Sequence, residues 1–409
     1  MVALQGGHKA RPYRKILPAP LYERGERIVM VAPVECNLTG EPRMKQKKIV
    51  SVVGARPNFM KIAPLEREFK KYDFVRHITV HTGQHYDKEM SDVFFQQLGL
   101  APPEWHLGVG SGGHGEMTGR IMIEFEKVCH EVKPDMVIVV GDVNSTIAAA
   151  LVARKIFIPV THVEAGLRSF DETMPEEHNR RLTDCLSNLL FVSEPSGVEN
   201  LRRECIDMSR VHLVGDIMLE TLQMFLPGIE EMKLWETFGL DTGSYALVTI
   251  HRPSNVDDPD SLREVIDILE LLPYPIIFPI HPRTLKRLDE FGLKKRIEGI
   301  RDLKMVPPQP YIDFLSLMQG SALILSDSGS VQSEASFFSV PCLVCRDNTE
   351  RPIYLEQGTS ALVGRDRQRV TACLERIEAG RHFKSSALIK QMGTGVALKT
   401  AKIIVDYFQ

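Results

Sequence analysis

From Lys48 onward the chain repeats one unit: a short apolar run, a glycine-bearing turn, and a stretch with helical spacing. The run Met136–Val140 (MVIVV) is apolar at every position. A strand with one wet face alternates. A strand with no polar position has both faces covered, as in a parallel sheet flanked by helices. Lys48–Val53, Val75–His81, Ile156–His162, Leu189–Val192 and Val211–Val214 read as its neighbours, with Pro57–Lys71 as the first intervening helix. The alternation breaks from Pro227 to about Thr242, which reads as a crossing segment. It restarts with Tyr245–Ile250, Ile276–Ile280, Leu303–Val306, Ala322–Leu325 and Val340–Val344. The pattern predicts an α/β fold with two Rossmann-like, doubly wound domains facing a cleft. The expected organisation is a first domain over 48–226, a second over 227–392, and a C-terminal helix in 393–409.

Composition narrows the function classes. A length of 409 residues supports two buried cores. A chain 25% charged and 43% hydrophobic is neither collagen-like nor a disulfide scaffold. The formal charge of −3 argues against a nucleic-acid partner. Charge is uneven: residues 1–47 carry nine Lys/Arg against four Glu, and the rest is acidic. That segment has several prolines and no sustained period, and reads as a disordered basic leader. Met44, just before the first strand, is a candidate start. No apolar run reaches membrane-spanning length, and seven scattered cysteines point to a reducing, cytoplasmic compartment. Cys342 and Cys345 lie in an apolar run and read as buried strand thiols rather than a metal site.

In doubly wound sheets, ligands bind at the carboxyl ends of the strands. The polar residues of this chain gather there. Arg56 and Lys61 follow the first strand, Gln84 the second, Asp142 the run MVIVV, and Glu164 the next strand. In the second half, His251 and the segment Asp327-Ser328-Gly329-Ser330 hold the same places. Small residues at a helix start let a phosphate approach free N–H groups. Glu334, one turn on, suits ribose hydroxyls. The competing reading is an ordinary N-cap with a solvated Glu. Asp142, Glu164 and Glu176 would supply proton transfer at a sugar carbon if they met in one cleft, though carboxylates at helix starts are also common dipole partners. His251 suits phosphate binding or acid-base work. Gly108–Gly113 matches G-x-G-x-x-G but follows no buried strand, and reads as a flexible loop.

Taken together, these residues resemble the non-hydrolysing UDP-N-acetylglucosamine 2-epimerase family. The likeness rests on GARPNFMK (54–61), TGQH (82–85), GDVNST (141–146), HVEAGLR (162–168), PEEHNR (175–180), HRPSNVD (251–257), Ser326–Gly329 with Gln332, and RDNTERP (346–352). It implies a glycosyltransferase-B fold and a nucleotide-sugar substrate, with no cofactor or metal. It also implies a homodimer and a place in envelope polysaccharide synthesis. The implied reaction interconverts UDP-N-acetylglucosamine and UDP-N-acetylmannosamine. UDP is eliminated to give a 2-acetamidoglucal and then added back. By resemblance, Arg56, Lys61, His251, Ser328, Gly329, Ser330 and Arg351 hold the diphosphate and sugar. Glu334 holds the ribose, Gln309 and Phe314 lie by the uracil, and Asp142, Glu164 and Glu176 are the acid-base candidates. Gln84 matches an activator site of some members.

Three departures stand out. Ser330 replaces a family glycine, Ser333 replaces one of two acids before Glu334, and Gly393-Thr-Gly395 replaces an Asp-Gly turn before the last helix. A glycine needed for close backbone approach would make Ser330 costly to phosphate binding. The alternatives are a 2-epimerase of UDP-2,3-diacetamido-glucuronic acid, the hydrolysing epimerase, a glycosyltransferase of the same fold, and a sugar-nucleotide binder with weakened catalysis.

Overall fold

Two parallel sheets organise the chain. The computed structural model describes residues 45–83, 99–381 and 386–409. The first sheet comprises β1 (Lys47–Val53), β2 (Val75–His81), β3 (Trp105–His106), β4 (Met136–Val140), β5 (Val160–Ala165), β6 (Leu189–Val192) and β7 (Val211–Leu213). Among the described residues its order is β3-β2-β1-β4-β5-β6-β7. The second sheet holds β8 (Ala246–Thr249), β9 (Ile276–Pro279), β10 (Leu303–Val306), β11 (Leu323–Ser326), β12 (Cys342–Val344) and β13 (Ser360–Leu362), in the order β10-β9-β8-β11-β12-β13. The strand order reverses beside β1 in one sheet and beside β8 in the other. Loops leaving β1 and β4, and those leaving β8 and β11, therefore diverge and open a crevice at each switch point.

Side-chain alternation splits each core in two. Ile49 and Val53 of β1 pack with Met136, Ile138 and Val140 on one face of the first sheet. Val50, Val52, Val137 and Val139 pack on the other. All five residues of β4 are buried, and each such aliphatic contributes about 1.5–3 kcal/mol relative to exposure. The second sheet is likewise covered on both sides.

The last helix, Val396–Tyr407, returns to the first sheet, where Val396, Ala397, Ala401 and Ile404 join the cluster around Ile49 and Phe59. The departing glycines serve this docking. A Cβ on Gly393 would lie 2.8 Å from the Leu219 backbone, and Gly395 caps the helix at φ +64°. The Ala397 N–H donates to Glu220 at 2.6 Å.

Local differences from the sequence reading have physical causes. Pro227 does not end a helix: Ile217–Met232 runs through it and across the expected division at 226. Its packing against the helices Arg56–Phe69 and Tyr311–Gly320 outweighs the lost N–H bond. The strand expected at Ile156–His162 begins only at Val160, because Phe157 adopts φ +64° in a turn before Pro159. The strands β3 and β13 have two and three residues, too few to leave a pattern. The glycine loop 108–113 follows the edge strand β3 and leads to the helix His114–Val132, whose first residue meets Asn144 at 3.2 Å. Cys342 lies in β12 and Cys345 just beyond it, and burial pushes both thiols up, Cys342 to about 12. Leader residues 1–44 lie outside the described residues. No helix among the described residues is long and apolar enough to cross a membrane.

Candidate active site

The switch points of both sheets meet at a pocket of about 170 Å³ lined by Lys61, Gly141, Asp142, Glu164, Arg180, Arg252, Gly329, Ser330, Glu350 and Arg351, among others. Asn58 ties its floor together. Its carboxamide oxygen accepts from the Gly54 and Ala55 N–H groups at 3.0 and 2.9 Å, and its NH₂ donates to the Val140 carbonyl at 3.2 Å. Gly141 turns with φ +66°, and a Cβ there would stand 2.9 Å from the Lys61 ammonium. A larger residue would be strained at that φ and would push the cation aside.

Glu164 occupies β5 with φ +71°, where the register against β6 slips between Val163 and Ala165. A non-glycine residue in this region stores strain that the surroundings must hold. The bulge puts the carboxylate between the Lys61 ammonium and the Arg351 guanidinium, each of which donates to one oxygen. Arg351 also donates to Asp216 at 3.0 Å, and the Tyr354 hydroxyl donates to the same Asp216 oxygen at 2.6 Å. A buried chain Lys61–Glu164–Arg351–Asp216 thus joins residues of both sheets. Burial opposes ionisation of Glu164, but the two cations outweigh it and hold the group at about 2.

Asp142 is half-buried and accepts from Arg180 Nε at 3.0 Å. Arg180 also donates to Glu177 at 2.5 Å. Glu350 accepts from Arg346 at 2.7 Å. Burial opposes its ionisation too, but Arg346, Arg180 and Arg252 hold it far below the usual carboxylate range.

Gly329 begins the helix Gly329–Phe338 against Glu350, whose carboxylate a Cβ would strike. Ser330 lies inside the helix without a positive φ, so its side chain costs no backbone strain. Its hydroxyl lies 3.3 Å from that of Ser328. Buried Asp327 pins the neighbouring loop by accepting from the His251 and Arg252 N–H groups and from the Asn255 NH₂. His251 stacks on His281. Burial lowers its pKa, with Arg252 and Arg283 adding to the effect and Asp327 opposing it.

Glu334 is buried beside Tyr311, Asp216 and Arg351. Burial pushes its carboxyl up to about 8, with Asp216 adding to the rise and Tyr311 and Arg351 opposing it. Burial similarly pushes Glu194 up to about 7. Both folded values lie above the ordinary 4.5. Stability held by the neutral acids is therefore complete in acid and is lost as pH rises from about 4.5 through about 8. We expect the melting temperature to fall across that window and Glu334→Gln, which cannot ionise, to flatten the fall. Parallel melting profiles for the two proteins would remove Glu334 as a source.

The remaining candidates are more peripheral. Glu176 is half-buried on the first turn of the helix Pro175–Leu186 and is not a lining residue, whereas Glu177 faces inward. Gln309 donates to the Pro307 carbonyl at 2.7 Å in the loop after β10, and Phe314 is half-buried on the helix Tyr311–Gly320. Neither lines the pocket. Arg56 opens the first helix, with its side chain outside what is described. Gln84 lies outside the described residues. Sequence reasoning gave no site role to Arg180, Arg252 and Glu350, although they fall within the motifs 175–180, 251–257 and 346–352, and it missed Asp216. Extending the strand-end rule to β7 and β12 would have found Asp216 and Glu350.

The sequence profile of the UDP-N-acetylglucosamine 2-epimerase family matches residues 67–405. This chain belongs to that family. Its epimerase relatives include the UDP-N-acetylglucosamine 2-epimerase of Methanocaldococcus jannaschii, 42% identical over 336 residues, covering 80% of this chain and 91% of the relative. A UDP-2,3-diacetamido-2,3-dideoxy-D-glucuronate 2-epimerase of Pseudomonas aeruginosa is 38% identical over 329 residues, 79% of this chain and 90% of that one. The crystal structure of the M. jannaschii epimerase in complex with UDP-N-acetylglucosamine and UDP superimposes with a TM-score of 0.81 at 39% identity, covering 88% of this chain and 99% of that chain. Membership in the epimerase family makes the chain an isomerase with the two-domain glycosyltransferase-B architecture.

Proposed function

We propose that this chain interconverts UDP-N-acetylglucosamine and UDP-N-acetylmannosamine by eliminating UDP across C1–C2 to give a 2-acetamidoglucal, then adding UDP back at C1 while C2 is protonated from the other face. The C2 proton is not acidic, because no carbonyl sits on its carbon. The reaction therefore needs a departing diphosphate stabilised by cations and N–H donors, and acid-base groups near C2. One observation carries the reading: Glu164, anionic and strained, is held between Lys61 and Arg351 beside Asp142 in a pocket shared with Gly329 and Ser330. A carboxylate held at about 2 is a weak base. An arriving diphosphate competes for the same two cations and so makes Glu164 more basic in the loaded site. Asp142 and Glu176 complete the proposed acid-base set. His251, Arg56, Lys61, Ser328, Gly329, Ser330 and Arg351 are the proposed diphosphate and sugar contacts. Glu334, Gln309 and Phe314 are proposed for the nucleoside, and Gln84 for an activator.

The test is proton NMR of the protein with UDP-N-acetylglucosamine in D₂O. The expected result is UDP-N-acetylmannosamine with deuterium at C2 and UDP still attached. Free N-acetylmannosamine plus UDP would overturn the reading in favour of hydrolysis. A second substrate, UDP-2,3-diacetamido-glucuronic acid, is favoured by the P. aeruginosa relative and by two buried guanidinium groups. Arg180 Nη2 and Arg346 Nη1 have no hydrogen-bond partner among the described residues and suit an additional carboxylate. Turnover of that sugar alone would replace the first reading by the second.

A further inference from the structure

We infer that His162 is a positioning residue, held as a doubly protonated imidazolium, that fixes the backbone on both sides of the Glu164 bulge and the peptide leading into Asp142. The inference rests on the proposed roles of those two carboxylates.

His162 lies in β5 with its side chain fully buried. Its Nε2 is 2.8 Å from the Gly141 carbonyl oxygen, and its Nδ1 is 2.6 Å from Asp184 Oδ1. A carbonyl oxygen only accepts, so Nε2 carries a proton. The other Asp184 oxygen accepts from the Gly166 N–H at 3.0 Å and faces Arg168 Nη2 at 2.7 Å. With an amide N–H and a guanidinium both donating to it, Asp184 is an ionised acceptor, so Nδ1 carries a proton as well. A neutral imidazole has one N–H and cannot fill both places. Burial raises the Asp184 carboxyl, but His162 and Arg168 outweigh it and bring it below its ordinary value.

The charges facing the ring form a closed set. Asp184 is the direct partner, and Arg168 stands behind it and forks onto Glu204 at 2.8 and 2.7 Å. Beyond Gly141 lie Lys61 and Glu164. Cations and anions balance along this line, which offsets part of the cost of burying the imidazolium.

The geometry explains what the cation does. The Gly141 N–H donates to the Val163 carbonyl at 3.1 Å while its own carbonyl accepts from His162. Both polar atoms of Gly141 are therefore tied to β5, one residue before Asp142. Asp184 reaches from His162 to Gly166, so it brackets Glu164 from both sides. Gly166 turns at φ +80° against Gly197 and leaves its carbonyl to Asn200 at 2.9 Å. A strained residue at 164 persists only when its surroundings over-determine it, and this clamp supplies that constraint.

Two measurements test the inference. Long-range proton–nitrogen correlation on protein with ring-¹⁵N histidine needs no substrate. Both His162 nitrogens should be protonated in the native protein, and Asp184→Asn should remove one proton. A single protonated nitrogen in the native protein would overturn the imidazolium. For turnover in D₂O, His162→Ala should lower kcat about 100-fold with KM nearly unchanged, the size expected for a displaced reacting group. His162→Gln, which restores a donor toward Gly141, should recover at least about tenfold of that loss. Equal losses in the two variants, or a loss confined to KM, would overturn the positioning role. If His162→Ala fails to fold, the kcat of Asp184→Asn decides: an unchanged value overturns the role. Absence of native epimerisation with the imidazolium intact would overturn the functional reading and with it the carboxylate roles on which the positioning rests.

Discussion

Glu164→Gln abolishes turnover, with deuterium incorporation at C2 falling by about 10³-fold or more, while UDP still binds. General acid-base groups contribute about 10²–10⁴-fold. Glu164 is also the group on which two buried cations converge, so the loss belongs at the upper end. The amide keeps the shape of the side chain but not its charge. Lys61 then stands buried without an anion, whereas Arg351 retains Asp216. Removing one partner of a buried pair costs about 3–5 kcal/mol. The variant should therefore melt at lower temperature as well as fall silent. Calorimetry with UDP and NMR in D₂O separate the two effects. Turnover within about tenfold of the native protein would remove Glu164 from the acid-base set.

The second large effect is expected at Arg351→Met. This guanidinium is fully engaged by Glu164 and Asp216, which come from the carboxyl ends of β5 and β7, while Arg351 follows β12 in the other sheet. Methionine fills similar space without charge and leaves two buried carboxylates, one of them still paired with Lys61. A loss of about 3–5 kcal/mol is expected in urea unfolding, and the gap should depend on pH. In the native protein Glu164 sits at about 2, below its ordinary 4.5. It therefore contributes stability that is present above about 4.5 and is lost as pH falls through about 2. In the variant, Glu164 keeps only Lys61 against its burial, so its carboxyl rises and its charged form opposes folding as pH rises. The deficit should be smaller at about pH 5 than at about pH 8. An equal deficit at both would mean that Arg351 acts by packing alone.

Much of this architecture was written in local pattern. The uniformly apolar β4 announced a covered parallel sheet, and the strand-end rule led to Lys61, Asp142, Glu164 and the Ser328–Ser330 helix start. What stayed hidden was pairing. Glu164 meets Lys61 across 103 positions and Arg351 across 187, and nothing local encodes such a meeting. The choice between Glu176 and Glu177 was hidden for another reason. Successive helical residues are rotated by about 100°, and the phase of that helix is set by Arg180 and the Ser169–Phe170 backbone, which Glu177 serves. Ser330 carries no backbone strain because its position lies within a helix rather than at a left-handed turn. Pro227 misled because a rule about isolated helices yields to packing.

The returning C-terminal helix bears on synthesis. Ile404 and Ala401 belong to the same cluster as Ile49 and Phe59, near the opposite end of the chain. A chain emerging from the ribosome exposes its first half well before those last residues are made. That half must wait with part of its interior unsealed, and the helix Val396–Tyr407 acts as its stopper. Nascent chains stalled just short of Val396 should therefore be more vulnerable to proteases and to sticking together than chains released complete.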